Sequence, residues 1–409
     1  MKTIWIINQY SSTPETGWAG RSYYLARELA KQGYKVYLIA SAAHHLLRKR
    51  PSCTSQFTTE SKHGFNFVWV KMPGYSEAHS KLRVLSWFLF AWRLQKLKAA
   101  ILDKPDVILC SSPSLLAFLG ANRLAKKYHS RLVFEVRDIW PLTLTEIGGY
   151  SSRHPFIRFM QWVEDRAYRE ADVVVSNLKN AVEHMVSRGM RREKFSWIPN
   201  GYSQDEVNHA KPLDPGLVSM IPKEKFIVGY AGTFGLANDL YTLIEAAEKL
   251  KDIAGIAFVL VGGGKEKSEL VRYTNNKNLK NVTFIDFIEK KQIQTMLCNF
   301  DILTVAAKKD PMYRFGVSPN KLFDYLYSGR PIIYAIDSGD YRPVEVAGAG
   351  VQVAAQDPNK LANAVLALYE MSPAQRDEMG NNGRKVAIEQ YEYGQLALQY
   401  RDILFPEDL

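Results

Sequence analysis

Cysteine is scarce in this chain: Cys53, Cys110 and Cys298 are the only three in 409 residues. They are too few and too far apart for a disulfide framework or a zinc motif, which points to the reducing cytoplasm. No uncharged apolar run reaches roughly 18 residues, so no membrane-spanning helix is expected. The chain opens directly into an apolar strand, KTIWIIN, rather than a basic-then-apolar leader. The eight histidines are scattered and give no metal cluster. No Ser/His/Asp arrangement can be argued from spacing. The first strand is not followed by GxGxxG, which leaves dinucleotide binding with little support. The usual signatures of nucleic-acid-binding folds are missing as well.

What is present is a folded, soluble composition, 46% hydrophobic and 23% charged. Its length suggests two domains, each able to bury its own core. Charge is unevenly divided. Residues 1–200 hold 30 Lys+Arg and 15 Asp+Glu, a balance of +15; residues 201–409 hold 23 and 27, or −4, and the two sum to the overall +11. A basic first half suits an anionic substrate or a membrane surface.

Strand and helix patterns alternate through both halves. Thr3–Gln9 reads as a buried strand, then come a loop with Gly17 and Gly20, a helix to about Gln32 and a strand at Lys35–Ala40. The glycines are where a phosphate or sugar could approach the backbone. Residues 44–62 are polar and read as a loop, and Phe65–Val70 as a strand. Asp106–Cys110 and Leu132–Val136 are further strands, the latter ending at Arg137-Asp138-Ile139-Trp140-Pro141. A charged pair at a strand's carboxyl end sits where ligands bind in open α/β sheets. Residues 203–223, with three prolines, read as a linker. The pattern then restarts with strands at Phe226–Ala231, Ile256–Val261, Val282–Ile285, Asp301–Val305 and Ile332–Tyr334. The expected fold is α/β, two doubly wound Rossmann-like domains facing a central cleft. Their expected limits are residues 1–205 and 206–387, with a tail from about 388 to 409 that packs back on the first domain.

One stretch organises the second half: RFGVSPNKLFDYLYSGRPIIY, Arg314 to Tyr334. Ser318 is expected as an N-cap, Pro319 as the first helical residue and Gly329 as the residue after the helix. Proline has no N–H, so the amides of Asn320 and Lys321 are left free at the helix start, beside the lysine's own charge. Free amides, the positive helix end and a cation make an anion site, most naturally for phosphate. Asp324, one turn on, suits a hydroxyl partner such as a ribose. An ordinary capped helix with solvated charges explains the same residues.

The stretch His79–Ile101 places Lys81, Arg83, Arg93, Lys96 and Lys98 around an apolar centre holding Trp87 and Trp92. It is too short to span a bilayer but fits a helix lying on an anionic membrane surface, with Lys81, Arg83, Trp87, Trp92 and Arg93 as contacts. The alternative is a core helix with basic ends.

Taken in order, the Gly17 loop, RDIWP, SNLKNAV, IPNG, GTFGLAND and the SPNK helix start resemble the family-four retaining glycosyltransferases of the GT-B fold, over essentially the whole chain. The branch most resembled is the bacterial N-acetylfucosaminyl transferases of O-antigen or capsule assembly. The resemblance implies a sugar nucleotide, UDP-linked, bound by the second domain, an acceptor bound by the first, and no metal or other cofactor. The family's paired glutamates, eight residues apart, fall on Gly316 and Asp324. The family's diphosphate-binding arginine and lysine fall on Thr233 and Asn238, and its catalytic-region histidine on Arg137, which cannot act as a base. Lys321 and Arg314 are the expected replacements on the diphosphate. The backbone of Gly316, Val317 and Ser318 is the expected contact to the donor sugar, and Phe287 and Ile288 to the nucleobase.

The expected reaction moves a sugar, such as an N-acetylated 6-deoxy sugar, from a UDP-sugar to an undecaprenyl-diphosphate-linked saccharide at the inner face of the cytoplasmic membrane. Arg137 and Asp138 are expected to hold the donor sugar or the acceptor hydroxyl. A sugar-nucleotide epimerase of the same architecture and a catalytically silent membrane scaffold are the rivals.

Overall fold

A computed structural model of the chain describes residues 1–74 and 81–408. It divides into two compact units, Met1–Pro199 with Tyr393–Leu409, and Asn200–Glu392. Both are Rossmann-like α/β domains.

Among the described residues, the first unit is built on an eight-stranded sheet. Its strands are β1 (Thr3–Ile7), β2 (Lys35–Ser41), β3 (Phe57–Lys62), β4 (Phe65–Val70), β5 (Val107–Ser111), β6 (Arg131–Val136), β7 (Val173–Ser176) and β8 (Phe195–Trp197). They lie in the order β3-β4-β2-β1-β5-β6-β7-β8. The order reverses between β1 and β5, a topological switch point. β1 reads TIWII and all five residues are buried, as both faces of a covered parallel strand require. β3 corrects the sequence expectation of a loop over residues 44–62. It pairs antiparallel with β4 through a two-residue turn, His63-Gly64, whose φ values of 44° and 87° are those of a tight hairpin. The strand is polar and only partly buried, so it carries no apolar alternation to announce it.

The tail returns to this unit. Tyr393, Leu396, Tyr400 and Leu404 of the Tyr393–Leu404 helix are buried with β1 and β2 in one core. Tyr24 stacks on Tyr393 with centroids 4.8 Å apart. Arg21 starts the helix Arg21–Lys31 and is buried. Its Nε donates to Glu135 Oε1 at 2.7 Å, and its other nitrogens donate to the carbonyls of Ile198 and Pro199 and to Tyr400 Oη. Ser111 Oγ donates to the second Glu135 oxygen at 2.5 Å, and Tyr400 Oη also donates to Glu135. Burial alone would raise the Glu135 pKa, but the Arg21 and Arg137 charges and these hydrogen bonds hold it down at about 2.

The second unit has six strands among the described residues: β9 (Phe226–Thr233), β10 (Ile256–Gly263), β11 (Val282–Ile285), β12 (Ile302–Ala306), β13 (Ile332–Ala335) and β14 (Gly350–Gln352). All pair in parallel, in the order β11-β10-β9-β12-β13-β14. Here the switch point lies between β9 and β12. Their pairing stops early, at Gly229 opposite Leu303, whereas β9 and β10 stay paired to Thr233 and Gly263. Beyond that point the two strands splay, and β9's carboxyl end is left for other partners. The stretch expected as a linker is folded here. Leu213 and Ile221 belong to this unit's core, and Gln204–Asn208 and Pro215–Ser219 are short helices.

Candidate functional site

The splay after Gly229 leaves the Ala231 N–H and C=O without a strand partner on that side, a costly state for buried backbone. The Asn320–Ser328 helix supplies one. Tyr325 Oη accepts from Ala231 N at 2.7 Å and donates to Ala231 O at 3.0 Å. Leu322, Phe323 and Leu326 of that helix are buried in the same core. The helix is therefore fixed to the end of β9, and Lys321, one turn before Tyr325, is carried to the switch point.

Lys321 Nζ donates to Tyr230 Oη at 2.9 Å and to Asn238 Oδ1 at 2.5 Å, and lies 4.5 Å from the centre of the Tyr230 ring. Asn238 Nδ2 and Tyr230 Oη both donate to Thr233 O, at 3.0 and 2.8 Å. Gly232 lies close beneath this cluster: a Cβ there would lie 3.0 Å from Tyr230 Oη and 3.3 Å from Lys321 Cε, a tight fit. Among the described residues no carboxylate is hydrogen-bonded to the ammonium group. Burial pushes its pKa down to about 7. Thr233, Asn238 and Lys321, chosen from the sequence, are thus brought together. Tyr230 was not foreseen; its place two residues before the strand's last glycine was the available signal.

The helix start departs from expectation in detail. Pro319 is the capping residue, with φ −71° and ψ 129°, and the helix begins at Asn320. Ser318 is not the N-cap. Its Oγ accepts from the backbone N–H of Asn200 at 2.9 Å, and its carbonyl accepts from Asn200 Nδ2 at 2.7 Å. Asn200, in the IPNG turn, thereby pins the loop ahead of the helix. The Asn320 and Lys321 amides still precede the first intrahelical bond, Leu322 N to Pro319 O at 3.0 Å.

Other expected contacts are redistributed. Gly316 has φ +89°, which favours glycine, but its N–H is taken by Tyr313 O at 2.9 Å, so it is not a free donor. Val317 packs at the edge of the core. Arg314 is exposed, donates to Pro311 O and lies 4.3 Å from the centre of the Phe315 ring. Asp324 Oδ2 accepts from Lys290 Nζ at 2.6 Å, a partner that the sequence reading missed. Phe287 is exposed, whereas the Ile288 side chain is 5% exposed and belongs to the core.

In the first unit, Arg137 follows β6 and its N–H donates to Ser112 Oγ at 2.8 Å, beside the β1/β5 switch point. Gln9 beyond β1 accepts from Ser114 Oγ and donates to Ser86 Oγ at 3.3 Å. Asp138 is exposed. Gly17 is buried, and a Cβ there would lie 2.6 Å from Ser12 Oγ, so packing demands glycine.

The helix expected on a membrane surface is revised most. It runs from Lys81 to Leu94, and residues 79 and 80 lie outside the described residues. Trp87 is 4% exposed and its Nε1 donates to Tyr10 Oη at 2.5 Å, so it faces the protein. Arg83 Nε also reaches Tyr10 Oη, at 3.3 Å, and Arg93 Nη1 lies 3.8 Å from Met72 Sδ. Trp92 is 56% exposed. Among the described residues no helix is long and apolar enough to cross a membrane.

Two family models together match most of the chain. Residues 19–206 match Glycosyltransferase Family 4, and residues 218–386 match Glycosyl transferases group 1. A colanic acid biosynthesis glycosyl transferase of Escherichia coli, WcaI, is 23% identical over 309 residues, covering 74% of this chain and 75% of the relative. Among solved structures, sucrose-phosphate synthase from Thermosynechococcus elongatus has a TM-score of 0.73 at 18% identity, over 98% of this chain and 97% of that one. HepE of Anabaena in complex with UDP has a TM-score of 0.66 at 17% identity, with both chains fully covered. These likenesses identify the GT-B fold.

Proposed function

Because the chain belongs to the family-four glycosyltransferases, we propose that it moves a sugar from UDP to a lipid-linked saccharide during bacterial surface-polysaccharide synthesis. The observation that carries this reading is the Lys321–Tyr230–Asn238 cluster with the two uncommitted amides of the Asn320–Ser328 helix, gathered at the β9/β12 switch point. Donor amides, a helix N-terminus and a half-buried cation together favour a diphosphate. The UDP complex of HepE and the colanic acid role in the name of WcaI support the choice of nucleotide and of product class.

As the bond from the sugar's anomeric carbon to the phosphate oxygen breaks, its electron pair stays on the diphosphate. Lys321 and the amides of Asn320 and Lys321 stabilise that charge. Removal of one such preorganised donor typically costs about 10²–10³ in rate. The acceptor hydroxyl bonds to the same carbon, on the face the phosphate leaves, and its proton passes to the departing phosphate oxygen. Configuration is retained and no protein nucleophile or metal is needed. Asp324, oriented by Lys290, takes the ribose hydroxyls, and Arg137 with Asp138 positions the acceptor hydroxyl or the sugar. The branch that the sequence resembles favours a donor such as an N-acetylated 6-deoxy sugar and an undecaprenyl-diphosphate saccharide acceptor at the inner membrane face.

A thermal-shift screen against UDP-, GDP- and dTDP-sugars tests the donor, since a ligand raises apparent stability with its occupancy. A UDP-specific shift, followed by EDTA-insensitive transfer to a lipid-linked acceptor, is the expected result. UDP binding without transfer to any such acceptor would favour a silent scaffold; release of a free epimerised nucleotide sugar would favour an epimerase.

A further inference from the structure

The Lys81–Leu94 helix buries Trp87, Phe90 and Leu94, yet its opposite face is apolar as well. Leu82, Leu85, Phe88 and Trp92 are 53, 59, 43 and 56% exposed. Their spacing of three to four residues puts them on one stripe. The stripe continues onto a second helix, Pro155–Glu170. Phe88 stacks on Phe159 with centroids 5.8 Å apart and nearly parallel rings, and Phe159 stacks in turn on Trp162, which is 46% exposed. An exposed apolar patch of this kind on two neighbouring helices marks an interaction surface.

Charge identifies the occupant. From Lys81 to Leu102 there is no Asp or Glu, while Arg83, Arg93, Lys96 and Lys98 all fall within that span. Lys96 Nζ lies 4.2 Å from the centre of the Trp92 ring and Arg166 Cζ lies 5.4 Å from that of Trp162; Arg158 is exposed beside Phe159. Each exposed tryptophan thus carries a cation at its face. Residues 1–200 as a whole carry a balance of +15. The Pro155–Glu170 helix balances its three arginines with Glu164, Asp165 and Glu170, and Arg166 pairs with Glu170 at 2.7 Å, so the excess positive charge comes from the Lys81–Leu102 stretch. A second copy of this chain would set that stretch's charge against itself. A bilayer of anionic lipid accepts all three features: apolar side chains among the acyl chains, tryptophans at the headgroup level and cations against phosphate.

We propose that the joined outer faces of the Lys81–Leu94 and Pro155–Glu170 helices form the docking surface for an anionic lipid bilayer. The proposal deepens, and rests on, the reading of a membrane-borne acceptor. It replaces the inward-facing Trp87 by Leu85, Phe88 and Trp162 as the inserting groups.

The test is co-sedimentation of the full chain with acceptor-free vesicles of phosphatidylglycerol and phosphatidylethanolamine, against vesicles of phosphatidylcholine alone. Binding to the anionic vesicles, a blue shift of tryptophan fluorescence and weakening with salt are expected. Leu85→Glu and Trp162→Glu should each weaken binding by at least about tenfold, while Val346→Glu, at a residue 85% exposed in the second unit, should not. Thermal shift by UDP reports folding of every variant independently, so loss of vesicle binding with the UDP response kept is specific to the patch. Equal binding by Leu85→Glu and wild type, or no binding to anionic vesicles, overturns the proposal. A dimer in light scattering that Leu85→Glu dissolves, without vesicle binding, assigns the patch to a second copy and overturns it too. Failure of UDP to shift the wild type, with vesicle binding intact, sinks the UDP-donor reading and leaves the surface standing.

Discussion

Lys321 Nζ sits 2.5 Å from Asn238 Oδ1, at the carboxyl end of β9, and among the described residues no carboxylate is hydrogen-bonded to it. An ammonium group held by an amide oxygen and a phenol keeps its charge uncompensated, which suits it to an incoming anion. Lys321→Met is therefore expected to lower transfer by about 10²–10³, without lowering the denaturation midpoint, because removing a desolvated and uncompensated cation does not destabilise the fold. Parallel turnover and urea-denaturation measurements check it. Loss of stability alongside activity would mean that the lysine is structural.

The same burial predicts a pH dependence. Lys321 in the free protein has its pKa lowered to about 7, against an ordinary value near 10.4. A bound diphosphate favours the charged form and raises that pKa. Below pH 7 the lysine is already protonated and affinity is flat. Above it, binding must take up a proton, so UDP affinity falls by up to about tenfold per pH unit until the bound-state pKa is reached. Calorimetry at pH 8 in buffers of different ionisation enthalpy should report proton uptake, and Lys321→Met should abolish it. For the free protein the sign is opposite. Between pH 7 and about 10.4 the unfolded chain binds more protons at this site, so its contribution to stability rises with pH.

The ion pair between Lys290 and Asp324 predicts a selective effect on the ribose. Lys290 Nζ occupies only the Oδ2 atom of Asp324, and the other oxygen remains for a hydroxyl. Asp324→Asn should weaken UDP binding by about tenfold, the weight of one charge-assisted hydrogen bond. It should weaken 2′-deoxy-UDP or 3′-deoxy-UDP much less. Lys290→Met should produce a smaller loss with the same selectivity. Equal losses for UDP and both deoxy forms would place the carboxylate away from the ribose.

Much of this was legible beforehand because it follows from local chemistry. Runs such as TIWII and FIVGYAG announce strands, and Gly329 announces a helix end with its φ of +73°. Thr233, Asn238 and Lys321 were picked out separately, and the topology brings them together. What could not be read depends on partners distant in the chain. Ser318 looks like an N-cap until Asn200, 118 residues earlier, takes its hydroxyl. Trp87 looks like a membrane anchor until Tyr10 accepts its N–H. Ile288 looks accessible after a strand, yet the core absorbs it. Lys290 and Tyr230 belong to no motif and gain meaning only from what they touch. The polar edge strand β3 escaped because its pairing comes from a hairpin turn rather than from apolar alternation.

Tyr325 offers a test of how the helix is held. Its hydroxyl both accepts from and donates to Ala231, and no strand reaches that side of the residue. Tyr325→Phe keeps the ring in the core but leaves a buried N–H and C=O unpaired. The expected cost is about 1–3 kcal/mol in denaturant unfolding, with reduced turnover because Lys321 is on the same helix. A variant with unchanged stability would show that the splay is filled some other way.

The buried Arg21–Glu135 pair governs acid stability. Both side chains are almost wholly removed from solvent, and the pair is surrounded by the Ile198 and Pro199 carbonyls, Ser111 and Tyr400. Glu135 titrates at about 2 in the folded chain and near 4.3 when unfolded. A carboxylate with a depressed folded pKa contributes stability that is complete above the unfolded value and is lost as pH falls from about 4.3 towards 2. Arg21→Met removes one partner and leaves a buried carboxylate, at a cost of about 3–5 kcal/mol at neutral pH. In that variant the Glu135 pKa rises, so its stability should no longer fall across the acid window and should improve on mild acidification. Arg21→Met with Glu135→Gln should recover part of the loss, since no charge is then stranded. Urea melts of the three proteins between pH 3 and 7 separate these outcomes. A double variant no more stable than Arg21→Met would instead assign the cost to the lost grip on the Ile198 and Pro199 carbonyls, where the chain leaves the first unit.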